Sequence, residues 1–182
     1  MNIFDRLRKY IADKQLRKEL SNISREKGVV NLVDARSIGV LYNIHNEESY
    51  NQILSFLKTL KADQRTVIAM GFYNDKKLPT YLNQSVYNSI IYLKDLNWYL
   101  KPVNQYVTNF YKEKFDICLN ISLEDHYPLH YMMAHSDSKL RVGKYSVTYQ
   151  DYYDLMIKPD EGTSQQDFIE NMMHYLKLIN QG

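Results

Sequence analysis

Residues 66–73, Thr-Val-Ile-Ala-Met-Gly-Phe-Tyr, are apolar on both faces rather than on alternate positions. A strand of that kind has to be covered on both sides, which is the situation inside a parallel sheet sandwiched between helices. Residues 37–43 and 115–121 are similar runs, residues 89–92 form a shorter one, and residues 139–143 and 152–157 read as two more strands. Helical periodicities lie between them. Asn46 can cap a helix whose apolar positions are Tyr50, Ile53, Leu54, Leu57 and Leu60, ending near Lys61. A second helix spans about 103–112. Pro128 is tolerated only in a first helical turn, so a third starts at 125–128 and runs through Leu129, Met132 and Met133 to about His135. Ser164 with Asp167 makes a capping box for a last helix with a stripe of Phe168, Met172, Leu176 and Ile179.

Strands alternating with helices predict βαβ units. The expected fold is therefore α/β: three layers, a mostly parallel sheet of five to six strands with helices on both faces, Rossmann-like or flavodoxin-like, plus an N-terminal helix. Residues 66–73 are expected at the middle of the sheet. The polar stretch 74–86, with Pro79, reads as a loop, and Asp95, Asn97 and Pro102 bracket an irregular turn around the only tryptophan, Trp98.

Residues 3–20 read as a charged helix without one continuous apolar stripe. Phe4, Leu7 and Ile11 share a face, whereas Leu16, Leu20 and Ile23 point almost to the opposite side, which predicts a break near Asp13 or contact with two surfaces. Arg6, Arg8, Lys9, Lys14, Arg17 and Lys18 outnumber Asp5, Asp13 and Glu19, so either packing at home or a basic helix on a membrane or partner fits. Residues 21–27 read as a polar connector. With 182 residues and 45% apolar content, burying roughly 70% of its unfolded surface, the chain is expected to form a single domain. Residues 1–27 would be helix and connector and residues 28–182 the sheet core.

Several function classes are disfavoured. Lysine and arginine total 23 against 21 aspartate and glutamate, so no basic excess suggests nucleic acid. One cysteine allows no internal disulfide, no signal-peptide run opens the chain, and no stretch approaches the ~18 apolar residues of a membrane span. A reduced cytoplasm is expected. Only 6 glycines are present, with neither Gly-x-Gly-x-x-Gly nor Gly-x-x-x-x-Gly-Lys-[Ser/Thr], which argues against phosphate-cradling loops; no cofactor is expected. The 17 tyrosines fit an AT-rich coding sequence as well as a binding surface.

Ligands of open parallel sheets bind beyond the carboxyl ends of the strands. That rule selects Asn43, His45 and Asn46; Asn74, Asp75, Lys76 and Lys77; Ser122, Glu124, Asp125 and His126; Lys144; and Lys158, Asp160 and Glu161. Asp125, His126 and His45 are the candidates for acid/base chemistry, because a carboxylate beside an imidazole can orient it and tune its pKa. Asn43, Asn74, Lys76, Ser122 and Lys144 are the candidates for ligand binding. The plainer reading makes Asp125 a helix cap, Glu124 a partner of the helix dipole and His126 a surface residue. His126 and His130 have metal-ligand spacing, but Tyr127 stands where a zinc-protease helix needs Glu and a third ligand is not evident, so no metal is expected. His135 and His174 read as surface or helix-end residues. Ser-x-x-Lys recurs at Ser24, Ser55 and Ser136 without its companion motifs, and Cys118 reads as core.

Three stretches carry a resemblance: residues 37–43; Asp95-Leu96-Asn97-Trp98 with Lys101-Pro102; and residues 115–119 with Ser122-Leu123-Glu124, Tyr127-Pro128-Leu129-His130-Tyr131 and residues 139–143. With residues 153–157 they resemble a family of small bacterial proteins of unknown function, over most of residues 30–180. The resemblance implies a stand-alone domain and brings no activity. Residues 115–143 alone are similar to the first domain of heptosyltransferase-like glycosyltransferases, whose second Rossmann-like domain has no room in this chain.

Three readings follow. The first is a non-catalytic module binding a small ligand or a protein. The second is a degenerate or partner-dependent nucleotide-sugar enzyme using Lys76, Lys77 or Lys144 on phosphate and Asp125 or His126 as base. The third is a peripheral membrane or assembly protein, with homo-oligomer or partner contact through residues 3–20. One geometric test separates the first two: His45, Asn74, Asp125 and His126 should line one concave, partly apolar cleft if the chain is an enzyme.

Overall fold

The structure is a computed structural model that describes residues 3–21, 23–82 and 87–179, with side chains from Arg6 onward. The side chain of Phe4, residue 22 of the expected connector, and residues 83–86 of the expected loop lie outside the described residues. Among the described residues the strands are β1 (Ser37–Ile44), β2 (Thr66–Tyr73), β3 (Asn88–Tyr92), β4 (Lys114–Asn120), β5 (Asp137–Lys144) and β6 (Leu155–Ile157). The α-helices among them are α1 (Ile3–Leu20), α2 (Glu47–Ala62), α3 (Gln105–Lys112), α4 (Tyr127–His135) and α5 (Gln165–Leu178).

All strand pairings are parallel and the order is β3-β2-β1-β4-β5-β6, the Rossmann order rather than the flavodoxin one. The centre of the sheet is therefore β1 with β4. Strand β2, expected there, lies one place further out. Its two-sided apolarity reports helices on both faces, which every inner strand of such a sheet has, and so does not rank the inner strands.

Each strand feeds alternate residues to two cores. Ile38, Val40, Tyr42 and Ile44 of β1 face α2, α5 and the segment 30–35, whereas Leu41 faces the other side with Met70, Phe72, Ile91, Phe115 and Cys118, under α1, α3 and α4. Helix α2 begins where Asn46 Oδ1 accepts from Ser49 N and Ser49 Oγ accepts from Asn46 N, a reciprocal cap, with Glu47 and Glu48 at the dipole's positive end. Tyr50, Ile53, Leu57 and Leu60 are its buried face. In α5 Ser164 caps Asp167 N and the buried residues are Phe168, Ile169, Met172 and Leu176. Each such side chain contributes roughly 1.5–3 kcal/mol of burial.

Helix α1 is continuous, without a break at Asp13. It buries Ala12 and Leu16 in the second core, with Leu20 partly buried beside them, while Leu7 is exposed. Of the two expected faces, the one with Leu16 and Leu20 packs in the core, while on the other Leu7 is exposed and Ile11 half-buried. Helix α4 is buried all round from Tyr127 to Ala134. The expected strand 152–157 is shorter than its sequence suggests: residues 150–152 form a one-turn helix and only Leu155–Ile157 pair with β5.

Candidate functional site

Strand order reverses between β1 and β4, and the loops beyond their carboxyl ends diverge there to leave a crevice. Three buried polar residues sit at this point: Asn43 at the end of β1, Asn120 at the end of β4, and Ser122 two residues on. Buried amides need partners, and these find them in two hydrogen-bonded chains that leave Ser122 in opposite directions.

In the first chain the Ser122 hydroxyl lies 2.7 Å from Asn43 Oδ1 and 2.9 Å from the carbonyl of Glu124. With Asn43 Oδ1 accepting, its Nδ2 donates to His45 Nε2 at 2.7 Å. His45 Nδ1 then faces Glu124 at 4.0 Å, and the other Glu124 oxygen accepts from His126 Nε2 at 3.0 Å. Burial pushes the His126 pKa below its ordinary value against the pull of Glu124, so the ring is neutral near pH 7.

In the second chain the Ser122 N–H donates to Asn120 Oδ1, and Asn120 Nδ2 donates to the Tyr153 phenol at 2.8 Å. The phenol's single proton goes to His130 Nδ1, also 2.8 Å away. His130, held neutral chiefly by burial, must carry its proton on Nε2, which lies 3.3 Å from Asp125 Oδ1 in a poorly aligned contact. Lys144 Nζ reaches the same carboxylate oxygen at 3.3 Å and the Leu123 carbonyl at 2.7 Å, and Ser146 Oγ donates to the other oxygen at 3.3 Å. The contact with His130, opposed by partial burial and aided by Lys144, holds the Asp125 carboxyl down to about 2. Tyr149 stacks on His130 with ring centroids 3.7 Å apart.

Beside these chains opens a cleft of about 360 Å³ between α1 and the start of α4. Phe72, Leu93, Leu96 and Leu100 supply its apolar wall, Asn74, Asp125 and His126 its polar side, Tyr127, Pro128 and Tyr149 its far end, and Arg8 and Lys9 of α1 its rim. The wall is carefully built. Asn97 Oδ1 accepts from the N–H groups of Tyr99 and Lys101, and Asp95 accepts from Tyr92 N and Asn104 Nδ2. Leu100 is thereby held at φ 69°, an unfavourable conformation for a branched side chain, of the kind that clusters at binding sites. The Asp95-Leu96-Asn97-Trp98 motif therefore shapes a cleft wall. A second cavity of about 290 Å³ between α2 and α5, lined by Gln52, Phe56, Gln165 and Glu170 among others, touches neither chain.

The predicted residues divide accordingly. Asn74, Asp125 and His126 line the cleft, whereas His45 stands one link outside it, joined through Glu124. Asn43 and Ser122 lie beneath it as the start of one chain. Lys144 is spent on Asp125 and Leu123, Asn46 on the α2 cap, and Lys76, Lys77, Lys158, Asp160 and Glu161 stay exposed. Asp125 is not the helix cap: His126 holds the N-cap position without a side-chain bond, and the Asp125 carboxylate turns to His130, Lys144 and Ser146 instead. Nor is His126 a surface residue, since its ring packs edge-on against Phe72 at 5.3 Å. His135 is likewise packed, stacked on Tyr131 and 3.2 Å from Glu19. Cys118 is core, its thiol pushed up to about 12 by burial.

Sequence reasoning missed Asn120, Tyr149, Tyr153 and the inward-facing Arg8 and Lys9. A polar residue closing each of two central apolar strands, Asn43 and Asn120, was the available signal. Among the described residues no three His, Cys, Asp or Glu side chains are placed to hold a metal ion, and no helix is long and apolar enough to cross a membrane. Compared with known proteins, residues 8–179 match the model of DUF6913, a family of unknown function. No curated protein and no solved structure matches.

Proposed function

This chain belongs to the DUF6913 family of unknown function, and from that premise we propose that it is a non-catalytic binding module whose ligand is a small organic anion with an apolar body, seated in the cleft under α1. The observation that carries the reading is the convergence of an apolar wall, the polar side formed by Asn74 and His126, and the cationic rim of Arg8 and Lys9, at the carboxyl edge of a Rossmann-ordered sheet. Asp125 does not repel such a ligand, because His130, Lys144 and Ser146 already engage it.

The anion would not be a diphosphate held at the start of α2. The first turn of α2 carries Glu47 and Glu48, and the turn before it has no glycine, the reverse of a phosphate-binding strand–helix junction. An enzymatic second reading keeps one specific support, the 3.0 Å Glu124–His126 pair with a neutral imidazole at the cleft, which is the arrangement of a general base.

A thermal-shift panel of aromatic and aliphatic carboxylates, sugar phosphates and nucleotides tests the proposal. A ligand at ~100 times its dissociation constant adds roughly 2.7 kcal/mol to stability and raises Tm visibly. A carboxylate hit that Lys9→Ala and Asn74→Ala abolish is the expected result. A panel without carboxylate hits, or hits indifferent to both substitutions, overturns it.

A further inference from the structure

Helix α1 presents two opposite faces. At 100° per residue, Arg8, Ala12, Leu16, Glu19 and Leu20 fall on the inward side, which carries the cleft rim and the core contact. The remaining arc holds Arg6, Leu7, Tyr10, Lys14, Arg17 and Lys18, all of them exposed. Both acidic side chains described on the helix are engaged. Glu19 accepts from Lys101 and Tyr131 and pairs with His135, and the half-buried Asp13 faces Lys9 and Arg17. Arg17 is thereby offset, but Arg6, Lys14 and Lys18 have no acidic partner among the described side chains, and they are interleaved with two large apolar side chains, Leu7 at 53% and Tyr10 at 64% exposure.

The inward flank is occupied: Arg8 Nε donates to the carbonyl of Trp98 and Lys101 pairs with Glu19, which sets the 97–101 turn against that side of α1 and leaves the outward arc open. Tyrosine favours the polar–apolar boundary of a bilayer, and a straight helix about 27 Å long with lysine and arginine around a few apolar side chains can lie flat on it. A nucleic acid would use the cations alone and leave Leu7 in water.

We infer that the outward face of α1 is a docking surface for an anionic lipid bilayer, which the protein binds peripherally. Each cation brought to an anionic leaflet strengthens partition about fivefold, and the effect dies within a Debye length of about 8 Å at physiological salt. The surface uses Arg6, Leu7, Tyr10, Lys14 and Lys18, none of which lines the cleft, so it stands or falls independently of the ligand proposed above.

Co-sedimentation of the full chain is followed with phosphatidylcholine vesicles and with mixed phosphatidylcholine–phosphatidylglycerol vesicles. The expected result is pelleting with the mixed vesicles only, reversed by raised salt. Lys14→Glu with Lys18→Glu should weaken partition at least about 25-fold, and Leu7→Ser should weaken it as well. Both variants should keep the wild-type circular dichroism and Tm, because these side chains are exposed. No pelleting with mixed vesicles, equal pelleting with both kinds, wild-type partition of the double variant, or tighter salt-sensitive binding to duplex RNA than to the mixed vesicles would each overturn the inference.

Discussion

The Tyr153 phenol donates to Nδ1 of His130 across 2.8 Å while accepting from Asn120, so one hydroxyl group fixes the tautomer of the histidine at the crevice. The tyrosine ring lies directly over Gly143 of β5, where any Cβ would be driven into it. Glycine at this position is therefore what lets a ring from the β5–β6 connection reach the switch point of the sheet.

Tyr153→Phe keeps the ring and removes the hydroxyl. Asn120 Nδ2 and His130 Nδ1 then lose their partners inside the protein, at about 1–3 kcal/mol for each buried polar group left unsatisfied. We expect urea unfolding to report a loss of about 2–4 kcal/mol at unchanged slope. A change under 0.5 kcal/mol, on the order of an average surface substitution, would mean that the chain of hydrogen bonds does not constrain this part of the core.

Acid should destabilise the protein in two stages. His126, His130 and His135 all have pKa values lowered from 6.5, in each case first by burial. The unfolded chain binds protons at these sites at a higher pH than the folded one, so stability falls as pH drops below about 6.5. Asp125 contributes stability that is fully present above 3.8 and is lost as pH falls toward about 2. That difference corresponds to at most about 2.5 kcal/mol, and with the carboxyl 40% exposed, solvent screening reduces it to about 1 kcal/mol. Melting temperatures between pH 7.5 and 5.5 should decline, and Asp125→Asn should flatten the more acidic limb while steepening the upper one, because the carboxylate holds the His130 pKa up against burial. A Tm independent of pH down to 5.5 would contradict the buried neutral histidines.

Cys118 is fully buried with its thiol raised to about 12. A thiolate is the reactive form, so the native protein should resist a chromogenic disulfide reagent and react only at the rate of global opening. Rapid native labelling would place the thiol at the surface and displace β4 from the centre of the sheet.

The sheet was legible in the sequence because burial on both faces leaves an unbroken apolar run, as in residues 37–43 and 115–121. The helix caps at Asn46 and Ser164 were legible because capping is local chemistry. What was not legible depends on contacts between distant segments. Asp125 looks like a cap from its neighbours alone, and only the approach of Lys144 and His130 turns its carboxylate elsewhere. Tyr153 is one tyrosine among 17, and nothing local distinguishes it from Tyr152. Strand order also escapes a periodicity argument, since β2 and β4 are equally apolar yet only β4 is central.

Glu19 makes the last case, because it ties α1 to the rest of the molecule. Its carboxylate accepts from Lys101 Nζ at 2.8 Å and from the Tyr131 hydroxyl, with His135 Nε2 at 3.2 Å. Burial pushes its pKa up, but the hydrogen bonds from Lys101 and Tyr131 outweigh that and leave it below the ordinary value, so the group is ionised and gripped at neutral pH. Glu19→Ala leaves a tyrosine hydroxyl and a lysine without this anchor, whereas Ala12 and Leu16 still hold the helix by apolar contact alone. The expected consequence is local: hydrogen exchange across residues 6–20 should quicken at least tenfold, and trypsin should cut first at the basic residues of α1, while amides of β1 and β4 keep their protection. The cleft loses its Arg8 and Lys9 rim whenever α1 opens, so any carboxylate that binds there should slow exchange of the same helix in the wild-type protein. Exchange that quickens equally in α1 and the central strands would instead make Glu19 a contributor to global stability.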